Sequence, residues 1–307
     1  MPERRIEYRL LTDADLSAAA YVRRAALEAL DRSQGREPAD WQPYPQAGRS
    51  HLIRTDPEGS ICVEVNGVLV GYVQGFVRGE TWFCSQFFVL PDVHDLGLGT
   101  ELLRRAIDYG RSRGARIISV MSSTSHAAQS LYMRHGMYGI AIAYSLAGPV
   151  DALCDLPEPD GVRKRIVDCD GWQDRIAALD ELVWGADRRQ DHAFYMSPPD
   201  VAGRHVETFA VVRDGEMAGY AYADDNGFVA PVAARTAADQ LPLLRMAGEW
   251  LRDREVGEAT TYVLSANPTA LGALLDRGWK LRWWTFFLAS EPFGRFDRYI
   301  PAGGMFL

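Results

Sequence analysis

With 307 residues, 47% of them apolar and 24% charged, the chain is long enough for two domains of ordinary size, each able to bury a core. A formal charge of −8 works against non-specific nucleic-acid binding, which draws its free energy from cations that neutralise phosphates. No apolar run reaches the length of a bilayer span, the opening Met-Pro-Glu-Arg-Arg lacks the apolar stretch of a signal peptide, and Cys62, Cys84, Cys154 and Cys169 have no C-x-x-C spacing, so a cytoplasmic protein with reduced thiols is expected.

In chain order, the first strong local signal is a hairpin over 63–72, where Asn66-Gly67 separates two apolar runs that end in Gly71-Tyr72. Next, 89–103 joins an apolar strand to a helix through a turn holding Gly97 and Gly99. Positions without Cβ let the backbone approach a ligand, and the first N–H groups of a helix point outward at its positive dipole end, so a pyrophosphate would fit there. A tight turn explains the same two glycines equally well. A helical pattern with Leu102-Leu103-Arg104-Arg105-Ala106 follows, then a β-rich run over 117–121, a helix inside 125–136 and another apolar strand.

The second half repeats this order. Asp214-Gly215 takes the place of Asn66-Gly67, Gly219-Tyr220 that of Gly71-Tyr72, and Leu243-Leu244-Arg245-Met246-Ala247 that of the segment beginning at Leu102. A β-rich run over 260–264 and a helix inside 267–278 complete the match. Each half is expected to run helix, three strands, helix, strand, helix, strand, which is an α/β fold with helices covering a central sheet. The segment 148–163, with Pro149, Pro157, Pro159 and Gly161, has linker chemistry. The expected domains are therefore 1–150 and 163–292, with 293–307 packing as an extended tail.

Residues 5–148 resemble the GNAT superfamily of acyl-CoA N-acyltransferases. The strand-Val-x-Pro junction leads into His94-Asp95-Leu96-Gly97-Leu98-Gly99, which is similar to the family's Gln/Arg-x-x-Gly-x-Gly/Ala pattern. One helix and one strand later, the segment from Ala128 through Leu131-Tyr132 to Gly136-Met137 is similar to the family's Asn-x-x-Ala-x-x-Leu-Tyr-x-x-x-Gly-Phe. The resemblance implies two tandem GNAT-like units, each a mixed, mostly antiparallel sheet with splayed central strands flanked by helices. It further implies acetyl-CoA as co-substrate and no metal. The co-substrate would lie near 87–90 and 117–122, held by Phe87, Phe88, Val89, His94, Asp95, Leu96, Gly97, Leu98, Gly99, Thr100 and Ser125. The family role of the Val89 backbone N–H would be to polarise the thioester carbonyl, worth about 3–4 kcal/mol for one aimed donor. Tyr132 matches the tyrosine that protonates the departing sulfur; a phenol of pKa about 10 gives its proton downhill to a thiolate whose acid form lies near 8.5. Outside this pattern, Tyr132 reads as a helix tyrosine packed on the core.

The chain departs from the family pattern at several points. His94 stands for Gln or Arg, and Ser125 for Asn. The positions aligned with the family's glutamate bases hold Phe83 and Val120, while Glu64, Glu80 and Glu101 read as solvated charges, leaving deprotonation to ordered water or to the C-terminal carboxylate of Leu307. In the second half Ala238 and Gln240 replace Gly97 and Gly99, Arg235 falls where His94 lies, Asp239 enters the loop and Leu274 replaces Tyr132. That half is expected to shape the acceptor pocket without gripping a phosphate. The segment 31–50, with Pro38, Trp41, Pro43, Tyr44 and Pro45, is either a lid on the acceptor or an ordinary covering loop.

The expectation is an acetyl-CoA-dependent N-acetyltransferase that acts by direct attack in a ternary complex. Its partner would be a small-molecule amine, with no nucleic acid or membrane partner, and it would be a monomer or a homodimer. The alternatives are a catalytically silent acyl-CoA-binding sensor or scaffold and a mycothiol-synthase-like acetyltransferase. A dinucleotide oxidoreductase is disfavoured because Leu102 stands where the third glycine would be.

Overall fold

The computed structural model describes residues 4–39, 46–166 and 171–306, with His94, Asp95, Arg165 and Ile166 described through their backbone alone. Trp41, Pro43, Tyr44, Pro45, Cys169 and Leu307 lie outside the described residues. The chain forms two compact units, residues 1–120 with 125–137 and residues 121–124 with 138–307.

The first unit contains β1 (Ile6–Leu10), α1 (Leu16–Ser33), α2 (Gln46–Thr55), β2 (Ser60–Val65), β3 (Val68–Arg78), β4 (Thr81–Val89), α3 (Leu98–Ser112), β5 (Ile117–Ser122) and α4 (His126–Arg134). Strands β1 to β4 pair antiparallel in sequence order, and β5 pairs parallel with β4. The β2–β3 turn is the one its sequence demands: Asn66 and Gly67 both have positive φ, the mirror-image turn whose twist suits a hairpin. Helix α3 buries Leu98, Leu102, Leu103, Ala106 and Ile107 on one face, and its outer face carries the i,i+3 and i,i+4 pairs of Glu101 with Arg104 and Arg105. Trp82, fully buried, fits between β3 and α3 because Gly75 and Gly110 leave it room; a Cβ at either would lie 2.5–2.8 Å from the ring system.

Two elements of this unit lie beyond the sequence expectation. Strand β1 is a short edge strand, and Arg9 within it ties the edge to the unit through Asp15 at 2.7 Å and Glu64 at 2.5 Å. Helix α2 occupies part of the segment read as a loop, and its buried Arg49 and Leu52 fix its inner face.

The second unit contains β6 (Tyr138–Pro149), α5 (Val150–Cys154), β7 (Val162–Ile166), α6 (Gln173–Val183), α7 (Arg189–Tyr195), α8 (Pro199–Ala202), β8 (Val206–Arg213), β9 (Glu216–Asp224), β10 (Val229–Ala234), α9 (Gln240–Arg252), β11 (Glu258–Leu264), α10 (Pro268–Leu275), β12 (Lys280–Ala289) and β13 (Tyr299–Ile300). Its β8–β9 turn again has positive φ, at Asp214 and Gly215. The compact units part at 137/138 and not in the expected 148–163 segment. The reason is strand pairing: β6, last strand of the first sequence repeat, lies between β11 and β12, with Tyr144 opposite both Val263 and Trp284. Nor is 293–307 only a tail, since it supplies β13, which adds to the edge of β10.

A polar cluster is sealed inside the second unit. Asp180 accepts from Arg188 Nε and His192 Nε2, each at 2.7 Å, and from the hydroxyl of Tyr220. Arg188 also donates to the Tyr299 hydroxyl at 2.8 Å, and Nδ1 of His192 meets the Tyr222 hydroxyl at 2.8 Å. Since a carboxylate can only accept, Nε2 of His192 carries a proton and Tyr222 donates to Nδ1 when the ring is neutral. Burial alone would raise the Asp180 carboxyl, but the charges of Arg188 and His192 hold it at about 2. Asp180→Ala is expected to lower the unfolding free energy in urea by about 3–5 kcal/mol, because it strands a buried guanidinium. As the folded-state value lies below the unfolded one, this carboxylate stabilises fully above pH about 4 and loses its effect as pH falls towards 2. An acid melt that keeps its steepness between pH 4 and 2 in Asp180→Asn would contradict this.

Candidate active site

The site follows from how β4 and β5 part. Their parallel register runs from Thr81↔Ile117 to Cys84↔Val120 and stops there, while β4 continues to Val89. Along this extension β3 remains paired on the other edge, with Gly71 opposite Val89 and Gln74 opposite Gln86. Leu90 N–H donates to Val70 O at 2.8 Å. Successive strand amides alternate in direction, so the amide of Val89 is directed away from β3, towards the edge that β5 has left.

Side chains alternate too. Phe87 and Val89 lie under the start of α3: a Cβ at Gly99 would be 3.4 Å from the Phe87 ring and 3.7 Å from Val89 Cγ2. Phe88 points the opposite way, onto Tyr72 at a ring separation of 5.9 Å. The structure thus brings Phe87, Val89, Gly99 and Tyr132 together and places the side chain of Phe88 on the other face, where α1 and α2 pack.

The junction after β4 is a 3-10 turn, Pro91–Leu96, followed directly by Gly97 and α3. Gly97 has φ +71°, and nothing lies within 4 Å of where its Cβ would be. The left-handed backbone is why glycine sits there, and its exposed position leaves the backbone uncrowded. Leu98, Gly99 and Thr100 form the first turn of α3, where amide N–H groups have no intrahelical acceptor. This combination fits a diphosphate. Gly97→Ala should cost about 1–2 kcal/mol of stability by forcing a Cβ into the left-handed region, and a chemical melt against the unaltered chain measures it.

Tyr132 is 4% exposed, and its ring meets Phe87 edge-on at 6.1 Å. Burial pushes its phenol well above the ordinary value, and Cys84 adds to the rise, so the hydroxyl keeps its proton throughout the neutral range. Ser125 caps α4, its Oγ accepting from Ala128 N at 3.3 Å. Phe83 and Val120 are core residues. The three nearby glutamates are held in ion pairs, Glu64 with Arg9, Glu80 with Arg116 at 3.4 Å and Glu101 with Arg104 at 2.7 Å. Hydrogen bonds from Arg104 and Arg105 bring the exposed Glu101 carboxyl to about 2. Two buried residues that sequence reading passed over, Gln74 and Gln86, face each other on neighbouring strands, on the side of the sheet that carries Tyr72 and Phe88.

The second unit shows the same opening closed. Phe228 bridges Thr260 in parallel, and beyond it β10 is paired by β13, with Val232 opposite Ile300 and Ala233 opposite Tyr299. Gln240, fully buried at the position of Gly99, donates to Asp297 O at 3.2 Å and accepts from Asn267 Nδ2 at 2.7 Å. Asp239 is tied to Arg213 at 2.7 Å. A buried side chain thus stands in the second unit where the first has Gly99.

Residues 25–137 match the acetyltransferase (GNAT) family. An uncharacterised N-acetyltransferase of Methanocaldococcus jannaschii is 32% identical over 93 residues, covering 28% of this chain and 41% of the relative. An uncharacterised N-acetyltransferase of Archaeoglobus fulgidus is 26% identical over 89 residues, covering 26% of this chain and 60% of the relative. The matches thus span 41% and 60% of those curated relatives. Among solved structures, a candidate acetyltransferase of Pyrococcus horikoshii superposes with TM-score 0.74 at 16% identity over 98% of this chain and 96% of its own. A tandem GNAT protein from the clavulanic acid biosynthesis pathway superposes with TM-score 0.63 at 17% identity over 94% of this chain and 99% of its own. The match to the acetyltransferase (GNAT) family is thus carried by residues 25–137, in the first half, while the fold of the whole chain is like that of these two solved structures.

Proposed function

We propose that the first unit transfers an acetyl group from acetyl-CoA to the amine of a small acceptor, both bound at once. The observation that carries this reading is the pairing gap after Cys84↔Val120, with the Val89 amide directed towards it and the uncrowded, left-handed Gly97 opening α3 just beyond. Acetyl-CoA supplies the activated acyl group. The amides of Leu98, Gly99 and Thr100 hold its diphosphate at the positive end of α3, with Leu96, Gly97 and the backbone at His94 and Asp95 forming the approach. The Val89 N–H donates to the carbonyl oxygen as negative charge builds there, and Phe87 and the neighbouring core keep water from weakening that bond. Tyr132, kept neutral by burial, donates its proton to the departing sulfur.

Among the described residues the positions aligned with a base hold the apolar Phe83 and Val120, and Glu64, Glu80 and Glu101 are engaged in ion pairs. Deprotonation of the amine falls to ordered water, which suits an acceptor amine of low basicity. The same absence favours, as a second reading, a sensor that binds acyl-CoA without turnover. A mycothiol-synthase-like arrangement, with the working site in the second half, is disfavoured by Gln240 and β13. A cytoplasmic monomer or homodimer that acts on neither nucleic acid nor membrane completes the proposal; among the described residues no helix is long and apolar enough to cross a membrane.

Titration with acetyl-CoA by calorimetry, followed by thiol release over a panel of amines, tests it. Tyr132→Phe should bind acetyl-CoA normally and lower kcat by about 100-fold or more. Gly99→Glu should abolish binding by placing a carboxylate over Phe87 and Val89, where it meets the diphosphate. In the intact protein kcat should show no loss from Tyr132 ionisation below pH about 10. Turnover that survives Gly99→Glu would move the site elsewhere, and binding without turnover on any amine would select the sensor.

A further inference from the structure

Gln74 on β3 and Gln86 on β4 are directly opposite each other, so their side chains share one face of the sheet. Both are buried, at 0% and 6% exposure. Each amide has a fixed orientation, because its nitrogen faces carbonyl oxygen: Gln74 Nε2 donates to Arg49 O at 3.3 Å and is 3.4 Å from Ser60 Oγ, and Gln86 Nε2 donates to Ser85 O at 2.8 Å. Turning either amide over would set oxygen against oxygen. The consequence is that both Oε1 atoms are sealed from solvent with no hydrogen-bond donor reaching them among the described residues.

Two adjacent acceptors left this way are costly, since a buried carbonyl oxygen loses its water without replacement. The second unit shows that the fold does not require it. Counting from the shared Gly-Tyr pair, Gln74 corresponds to Tyr222, whose hydroxyl is satisfied by His192. Tyr72 faces Phe88 and Tyr220 faces Ala233, so the residue two places back that answers to Gln86 is Pro231, which has no side-chain acceptor. Only the unit with the open cleft keeps a pair of acceptors waiting for donors.

We propose that Gln74 and Gln86 anchor the acceptor by receiving hydrogen bonds from a second nitrogen-bearing group, distinct from the amine that is acylated. This rests on the acetyl-transfer reading and deepens it. Gln86 is three residues from Val89, about 10 Å along the strand, too far for one nitrogen to serve both. The acceptor class is thus a bifunctional molecule, with a reacting amine at one end and an N–H-rich group, amide or amine, at the other. The pair are positioning residues.

The test compares ε-aminocaproamide, hexamethylenediamine and ε-aminocaproic acid methyl ester, which share a reacting amine and differ in whether the far end carries N–H. The intact protein should prefer the amide and the diamine to the ester by roughly tenfold or more in kcat/KM, as expected of a site that leaves buried acceptors unpaired when the donor is missing. In Gln74→Met and Gln86→Met that preference should shrink to about twofold or less with the KM for acetyl-CoA unchanged. Their melting temperatures should equal or exceed that of the parent, which a merely structural role for these glutamines would not give. No preference in the parent, or a preference that survives in both variants, overturns the proposal. Should no amine release thiol, the acetyl-transfer reading fails separately. Calorimetry on the acetyl-CoA-saturated protein then decides: amide binding lost in Gln86→Met supports the anchor, and absent binding or equal binding of amide and ester overturns it.

Discussion

Everything this protein does at its candidate site depends on β4 losing a partner halfway along its length. A strand inside a sheet normally spends every amide on its neighbours, because a buried backbone group without a partner costs about as much as a lost hydrogen bond. Here the β4–β5 register ends at Cys84↔Val120, and β3 alone carries β4 to Val89. The alternation that sends Leu90 N–H into β3 sends the Val89 amide the other way. A rigid donor on a scaffold strand, held from behind by three further strands, is what electrostatic stabilisation of a developing oxyanion needs, since no reorganisation is required when charge appears.

The two units answer the same topological gap in opposite ways. In the second, β13 pairs into the edge of β10, Gln240 fills the place of a glycine, and Asn267 and Asp297 hold Gln240 there. Once filled, the gap becomes ordinary protein interior, and the adjacent polar residues can satisfy one another, as Asp180, Arg188, His192, Tyr220 and Tyr222 do. In the first, Gly97 keeps an uncrowded left-handed backbone, and the buried Gln74 and Gln86 have side-chain oxygens that no donor among the described residues reaches.

The chemistry around the first gap is nearly charge-free. Phe83, Val120, Phe87 and Cys84 form its walls, and burial raises the Cys84 thiol and the Tyr132 phenol so that both remain neutral. The Cys84 thiol is accordingly a packing group and not a nucleophile. In such surroundings a phenol keeps its proton throughout the neutral range.

Much of this was legible in the sequence where the controlling interaction is local. The Asn66-Gly67 and Asp214-Gly215 turns, the helical pattern of α3 and the two-glycine turn before it each depend on a few consecutive residues, and spacing alone reveals them. The duplication was equally plain, because both halves repeat the same local signals in the same order. What adjacency along the chain could not reveal were pairings between distant segments. Strand β6 lies between β11 and β12, β13 closes the second cleft, Phe87 and Phe88 part to opposite faces, and Gln74 meets Gln86 across two strands. The sequence determined which turns, helices and strands form, since backbone preference and hydrophobic period act over a few residues. The loss of both glycines at Ala238 and Gln240 was legible too, but only the tertiary structure showed that β13, from far along the chain, pairs into the edge of β10, because such pairing depends on contacts between distant segments.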